Sequence, residues 1–345
     1  LSLADWIGSL AERFPLDGVT GEARRVRSRA VAAQAVRQLG LGAGDGLRRA
    51  AAAATFEGAF DVPAPFPLQA AAGGALSERL VILESETGSG KTEAALWRFL
   101  RLLAAGEVDS LYLALPTRTS AVQMHGRVQR ALDRAFPTGA LPATLAVPGY
   151  LRAGGVDGQR LGRWDALWPD DPDDALRDAR WSAEAAKQFL AARVAVGTVD
   201  QALLGGLKVK WAHVRAASLS RSLLVVDEVH ASDAFMTEVL AQVLDNHLAA
   251  GGHAMLLSAT LGSAARARLT QGRRARPPPV AEAERLPYPA LHLGRETAAA
   301  GPSGRSKRVL AKLEPWIAAP RPIAARALDA AHRGARVLVL RNTVG

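Results

Sequence analysis

The 345-residue chain contains no cysteine, which excludes disulfides and thiolate metal sites. It has no apolar run long and uncharged enough to span a membrane. Nor do its first residues place a basic stretch before an apolar one, so secretion has no support and the cytoplasm is the expected compartment. Lysine is scarce beside arginine, yet the formal charge is +10 at pH 7. Such a charge suits a nucleic-acid partner, whose phosphates would gather the basic groups; an arginine- and alanine-rich coding bias would produce it equally well. The apolar content is that of a globular protein, and the length allows about two domains with an ample core. The sequence opens at Leu1 without methionine and closes at Gly345, soon after a strand-like apolar run from Val337 to Leu340. It is therefore expected to be a fragment that ends inside an unfinished unit.

Residues 81–104 organise the rest. Val81, Ile82 and Leu83 suit a short buried parallel strand, and the apolar positions after Thr92 recur at helical spacing through Leu103. Between them Gly88 and Gly90 let the backbone curl so that successive amides face one point, and the helix opening near Lys91 adds its positive end. That geometry holds phosphate, with Thr87, Gly88, Ser89 and Gly90 as the loop positions around it. In the pattern G-x-x-x-x-G-K-[ST], Lys91 reaches the β- and γ-phosphates of ATP and the Thr92 hydroxyl coordinates magnesium. Ser85 replaces the first glycine. Alone, this motif fits a nucleotide kinase, a transporter ATPase, a helicase or a fortuitous glycine turn.

Upstream, residues 1–48 are helical in pattern, with Leu3, Trp6, Ile7 and Leu10 on one face. Asp5 on that helix is either a metal ligand or a residue of the exposed edge. Glycines from Gly40 to Gly46 mark a flexible junction. An alanine-rich helix follows, then a proline-rich stretch leading to Gln69. The glutamine amide can donate and accept at once, matching the edge of adenine, or it can simply be solvated.

Downstream the pattern repeats as strand, turn and helix, which argues for a parallel sheet with helices on both faces. Each strand ends in polar residues. Leu111 to Leu115 stops at Pro116-Thr117-Arg118, where hydroxyl, guanidinium and free amides suit either a sugar-phosphate backbone or a helix cap. Val194 to Val196 stops at Gly197-Thr198, where the glycine allows another backbone to approach and Thr198 can bond phosphate or cap a helix. Leu223 to Val226 empties into Asp227-Glu228-Val229-His230. A carboxylate at the end of a buried strand beside a phosphate loop can hold magnesium, while the adjacent glutamate can deprotonate an attacking water. His230 is placed to bond a neighbouring motif or to pack. Met255 to Leu257 ends in Ser258-Ala259-Thr260, whose hydroxyls could bond those carboxylates and report the nucleotide state elsewhere. The acidic, tryptophan-bearing stretch within residues 136–185 reads as a solvated loop. Residues 294–306 suit a linker, and a new helix from about Ile323 to His332 precedes the run Val337 to Leu340.

The ordered series from Gln69 to Ser258-Ala259-Thr260 resembles the first motor domain of a superfamily 2 helicase. Within it, Glu84 to Ala95, Val196 to Leu204 and Asp227 to Asp233 resemble the helicase-nuclease of type I CRISPR systems, and Tyr288-Pro289 is similar to that family's stretch after the third motif. The resemblance implies a RecA-like domain over residues 49–300 and the start of a second one over 301–345. Residues 1–48 would be the end of an HD nuclease domain. By the same resemblance, Asp5 would be a ligand of a divalent transition metal in the complete HD domain, and Gln69 would read adenine. Thr117, Arg118, Gly197 and Thr198 would contact single-stranded DNA, and His230, Ser258 and Thr260 would couple the two tasks. The parent protein would be recruited to a CRISPR surveillance complex, translocate on DNA using ATP and degrade it. The fragment itself should neither cut DNA nor close its ATP site without arginines from the second motor domain. A nucleotide- and nucleic-acid-binding module without turnover, or a P-loop ATPase with another substrate, are the alternatives.

Overall fold

The computed structural model describes residues 4–5, 8–9, 14–15, 17–38, 43–137, 141–161, 165–167, 180, 189–210, 212–229, 234–272, 275–294, 296–299 and 310–340. The chain divides into two compact units, Leu1–Ser303 and Gly304–Gly345. No helix among the described residues is long and apolar enough to cross a membrane.

In chain order the strands are β1 (Leu80–Glu84), β2 (Ser110–Leu115), β3 (Thr144–Ala146), β4 (Arg152–Ala153), β5 (Val156–Asp157), β6 (Gln159–Leu161), β7 (Asp165–Leu167), β8 (Val194–Thr198), β9 (Ser222–Val226), β10 (His253–Ser258), β11 (Ala290–Leu293) and β12 (Glu296–Ala299). Ten of them form one sheet in the order β12-β11-β1-β10-β9-β2-β8-β3-β4-β5, and β6 and β7 form a separate pair. The central six strands run parallel. The outer ones are antiparallel. Every residue of β2, β8, β9 and β10 is buried, as expected of parallel strands covered on both faces.

Alternation along each strand feeds two cores. On one face Val81, Leu83, Leu113, Val225 and Leu257 meet Phe99 and Leu103 of the helix Lys91–Ala105 and Val128 and Leu132 of the helix Arg118–Ala135. On the other, Ile82, Ala114, Leu224 and Leu256 meet Leu240 and Leu244 of the helix Ala234–Ala249. The expected α/β architecture is therefore present, with mixed edges added to its parallel centre.

Three local expectations are corrected. The glycine-marked junction is partly helical: Asp45–Ala53 is a helix that begins at the Gly44 cap, and Leu47 and Ala51 pack on the first core. The expected boundary at residues 48 and 49 thus falls inside a helix. The linker assigned to 294–306 contains β12, antiparallel to β11; its alternating burial is weak because it has one neighbour only. Val337 to Leu340 is exposed and forms no strand, since an apolar run becomes a strand only with a pairing partner. The second unit otherwise holds the helix Pro320–His332, preceded by Glu314, which pairs with Lys312 and Arg326.

Candidate nucleotide and nucleic-acid site

Strand registers bring the polar turns to one edge of the sheet. Glu84 of β1 lies beside Ser258 of β10. Leu256 lies beside Val226 of β9, Val226 beside Ala114 of β2, and Leu115 beside Thr198 of β8. Parallel strands place all their carboxyl ends on one side, and that crevice is where open α/β sheets bind ligands.

The phosphate loop leaves β1 at Ser85. Gly88 and Gly90 have φ of +83° and +85°, left-handed values that side chains resist, and Gly90 caps the helix Lys91–Ala105. Lys91 is only 8% exposed, and its Nζ donates to Ser85 O at 2.7 Å and to Glu86 O at 3.0 Å. Burial lowers its pKa, while Glu228, Asp227 and Glu86 act in the opposite sense. A buried ammonium held by loop carbonyls, at a helix N-terminus flanked by left-handed glycines, is a cradle suited to an anionic phosphate. Thr92, in the first helical turn, lines a cleft of about 160 Å³ with Glu93, Leu96, Arg127, Arg130 and Arg134. Arg127 donates to Glu93 at 2.9 Å across it. Thr87 is exposed, and Ser89 Oγ lies 2.7 Å from Ser85 Oγ.

Gln69 is buried on the helix Pro67–Gly74. Its Oε1 accepts from Phe66 N at 2.8 Å, and its Nε2 donates to Gly90 O at 3.0 Å. The amide is thereby joined to the phosphate loop, and each end of it keeps capacity for one more bond.

The carboxylate pair follows β9. Asp227 N donates to Ala114 O at 2.9 Å, continuing the sheet by one residue. Glu228 then adopts φ +57°, and its N–H bonds to Asp227 Oδ1 at 3.0 Å. Burial, then the charge of Glu228, raise the Asp227 pKa, offset in part by the Glu228 N–H, Lys91 and Arg127. A carboxylate destabilised in this way, within the field of Lys91 of the phosphate cradle, fits a divalent magnesium ion, whose charge would relieve it. His230 lies outside the described residues.

Thr117 and Arg118 are exposed. Thr117 Oγ1 accepts from Ser120 N at 3.1 Å as the cap of the helix Arg118–Ala135. Gly197 and Thr198 are buried. A Cβ on Gly197 would stand 2.5 Å from both Ala146 O and Tyr112 Oη, so this glycine admits the neighbouring strand. Thr198 caps the helix Val199–Leu203 without a side-chain bond, and its carbonyl accepts from Tyr112 Oη at 3.0 Å. Ser258 is buried and Thr260 exposed; Thr260 N donates to Ser258 Oγ at 3.2 Å.

Asp5 is exposed, and its carbonyl accepts from Ser9 N and Oγ. Among the described residues no group of three or more His, Cys, Asp or Glu could hold a metal ion. Asp5 has no co-ligands there, so the described residues do not compose the transition-metal site.

Sequence reasoning missed two sets of buried charge. Arg98 is fully buried and donates to Ala72 O at 2.9 Å, Ala75 O at 2.8 Å and Glu78 O. It caps the end of the helix that carries Gln69. Its signal was a charge inside the apolar stripe of its own helix. Glu84 binds Arg266 and His292, 182 and 208 residues away, a separation no local pattern reveals.

The family model of DEAD/DEAH box helicases matches residues 66–146. The chain is similar to the CRISPR-associated endonuclease/helicase Cas3 of Escherichia coli, 33% identical over 183 residues, which are 53% of this chain and 20% of that protein. It is also similar to the Cas3 of Thermus thermophilus, 32% identical over 271 residues, 75% of this chain and 28% of that protein. The crystal structure of T. fusca Cas3-ATP superposes with a TM-score of 0.58 at 30% identity, covering 84% of this chain and 33% of that one. The chain spans between about a fifth and a third of the length of these relatives. Motif order, sheet topology and relatives agree: the chain carries a DEAD/DEAH box helicase domain that is similar to part of the CRISPR-associated Cas3 helicase-nucleases.

Proposed function

We propose that the chain is the first motor domain of an ATP-driven translocase on single-stranded DNA, acting in type I CRISPR interference with a surveillance complex as partner. The observation that carries this reading is the buried Lys91 beside Asp227 and Glu228, with the phosphate loop and Ser258-Ala259-Thr260 on adjacent strand ends. In the proposed reaction the loop amides and Lys91 bind the β- and γ-phosphates of ATP, and Gln69 holds the adenine side. Magnesium, held by Thr92 and Asp227, would supply charge neutralisation at the phosphates. Glu228 orients a water and takes its proton as the water oxygen bonds to the γ-phosphorus and the bond to the ADP oxygen breaks. Thr117 and Arg118 serve the DNA backbone from the exposed turn after β2, while Gly197 and Thr198 support it from beneath. Ser258, Thr260 and His230 couple the two tasks.

We further propose that residues 301–345 begin a second motor domain, that arginines of the complete second motor domain close the ATP site, and that the residues before the helix Asp45–Ala53 end a nuclease domain. Accordingly, ATP hydrolysis by residues 1–345 alone should be weak. Joined to a second motor domain, the chain should hydrolyse ATP faster when single-stranded DNA is added, and Lys91→Ala or Glu228→Gln should abolish that turnover. Absence of DNA stimulation in the joined form refutes the motor, and wild-type turnover in Glu228→Gln refutes the assigned base.

A further inference from the structure

We propose that Glu84 is a positioning residue that fastens the Ser258-Ala259-Thr260 turn to the phosphate loop, so that nucleotide binding at the loop re-aims the turn. The proposal rests on the ATP site described above. Glu84 closes β1 with its side chain buried. Its Oε1 accepts from Leu261 N at 2.9 Å, and its Oε2 accepts from Arg266 Nη1 at 2.7 Å and from His292 Nε2 at 2.8 Å. The next residue, Ser85, donates its N–H to Ser258 O at 3.1 Å. Two consecutive residues thus hold both ends of the turn. Its middle is held from a third side, where Tyr288 Oη donates to Ala259 O at 3.0 Å.

The other face of Ser85 belongs to the nucleotide site, because its carbonyl accepts from Lys91 Nζ at 2.7 Å. When that ammonium turns to a phosphate, Ser85 O loses a charge-assisted bond, and the adjoining peptide bonded to Ser258 adjusts with it. Glu84 keeps the far end of the turn, Leu261, in place. A shift at one end against an anchor at the other tilts Ser258 to Thr260 instead of dragging the whole segment. Stability alone is a weak reason for such a cluster, since a buried ion network gains little over apolar packing. His292 carries the anchor onward to β12 through Thr297, whose Oγ1 lies 3.0 Å from His292 Nδ1.

The test is amide hydrogen exchange on the full chain, with and without a non-hydrolysable ATP analogue. In the wild type, nucleotide should slow exchange in both 86–92 and 258–261. In Glu84→Gln the slowing at 86–92 should persist, and that at 258–261 should fall about tenfold, a coupling loss of the usual size. In Glu84→Gln/Arg266→Gln, an amide pair replaces the ion pair, and much of the coupling should return. A purely structural role would speed exchange at 258–261 equally with and without nucleotide, and that result overturns the proposal. So does wild-type coupling in Glu84→Gln. Should that variant fail to fold, Tyr288→Phe removes only the hydroxyl on Ala259, and an unchanged nucleotide response in 258–261 then refutes the coupling. DNA-stimulated turnover is read separately, on the chain joined to a second motor domain: its absence there defeats the motor and leaves the exchange result to judge Glu84.

Discussion

Arg98→Met gives the sharpest test of how the Gln69 side of the proposed nucleotide site is built. The guanidinium is fully buried and is the donor for three carbonyls where the helix Pro67–Gly74 ends. Its bond to Ala72 is wholly buried, and those to Ala75 and Glu78 are partly so. Leaving a buried acceptor unmet costs about 1–3 kcal/mol, and counting the part-buried pair at half gives a gross loss of about 2–6 kcal/mol. Against this stands the relief of no longer burying a cation. Burial pulls the Arg98 pKa down to about 10 from an ordinary 12.5, worth about 3 kcal/mol of destabilised charge. The difference runs from about −1 to +3 kcal/mol and centres on a net loss of about 1 kcal/mol, a fall of about 2–4 °C in Tm for a domain of this size. The local effect should exceed the global one, because the freed helix also carries Gln69 and hence its bond to Gly90. Nucleotide affinity, measured by fluorescence titration, should drop about tenfold, with faster amide exchange confined to residues 67–78. If Tm, affinity and exchange all match the wild type, Arg98 does not hold this helix.

Four further outcomes follow from the geometry. Gly90→Ala combines a left-handed φ with a Cβ 2.3 Å from Gln69 Nε2, so ATP affinity should fall at least about tenfold from strain alone; unchanged titration curves would contradict the phosphate cradle. Gly197→Ala drives a Cβ against Ala146 O, and thermal unfolding should show a loss of about 1–3 kcal/mol; a silent variant would mean that β3 shifts freely. Burial alone would raise the Glu84 pKa, yet the bond to His292, the charges of Arg266 and His292 and the Leu261 N–H hold it below its ordinary value. Its stabilisation is then complete above the ordinary carboxylate range and is lost as pH falls through the folded pKa, so wild type and Glu84→Gln should differ at neutral pH and converge in strong acid; a constant gap would disprove the linkage. Glu228→Ala and Glu228→Gly both lack the side chain and differ in tolerance of φ +57°, so the glycine variant should be more stable by about 1 kcal/mol in denaturant titration; the reverse order would remove the strain.

The sequence discloses the central strands because burial on both faces turns each into an uninterrupted apolar run, and the polar residues after it mark where the chain turns. Leu223 to Val226 followed by Asp227-Glu228 is legible for that reason. β12 is not, since Glu296-Thr297-Ala298-Ala299 pairs on one side only and is mostly exposed. Nor is the β3 to β5 arm, whose two-residue strands Arg152–Ala153 and Val156–Asp157 are too short to show a period. Residue type is also incomplete: Gly197 and Thr198, expected at a DNA backbone, are buried, and the structure adds a packing reason for Gly197 in the approach of Ala146. Identity announces a glycine, but only the neighbouring strand says which surface it serves.

The same limit explains the carboxylate pair. Asp227 and Glu228 are adjacent and chemically alike, and sequence distinguishes them only by order. The backbone separates them. Asp227 still follows the sheet through its bond to Ala114, which sinks it into the crevice and raises its pKa. One residue later the chain turns left-handed, so Glu228 leaves the direction of the strand. A regular strand would have sent the two side chains to opposite faces of the sheet, with one of them in an apolar core. The left-handed residue, costing about 1–2 kcal/mol, keeps both carboxylates at the sheet edge. Two like charges held together there would suit a cation, and the repulsion between them is what a bound magnesium ion would relieve.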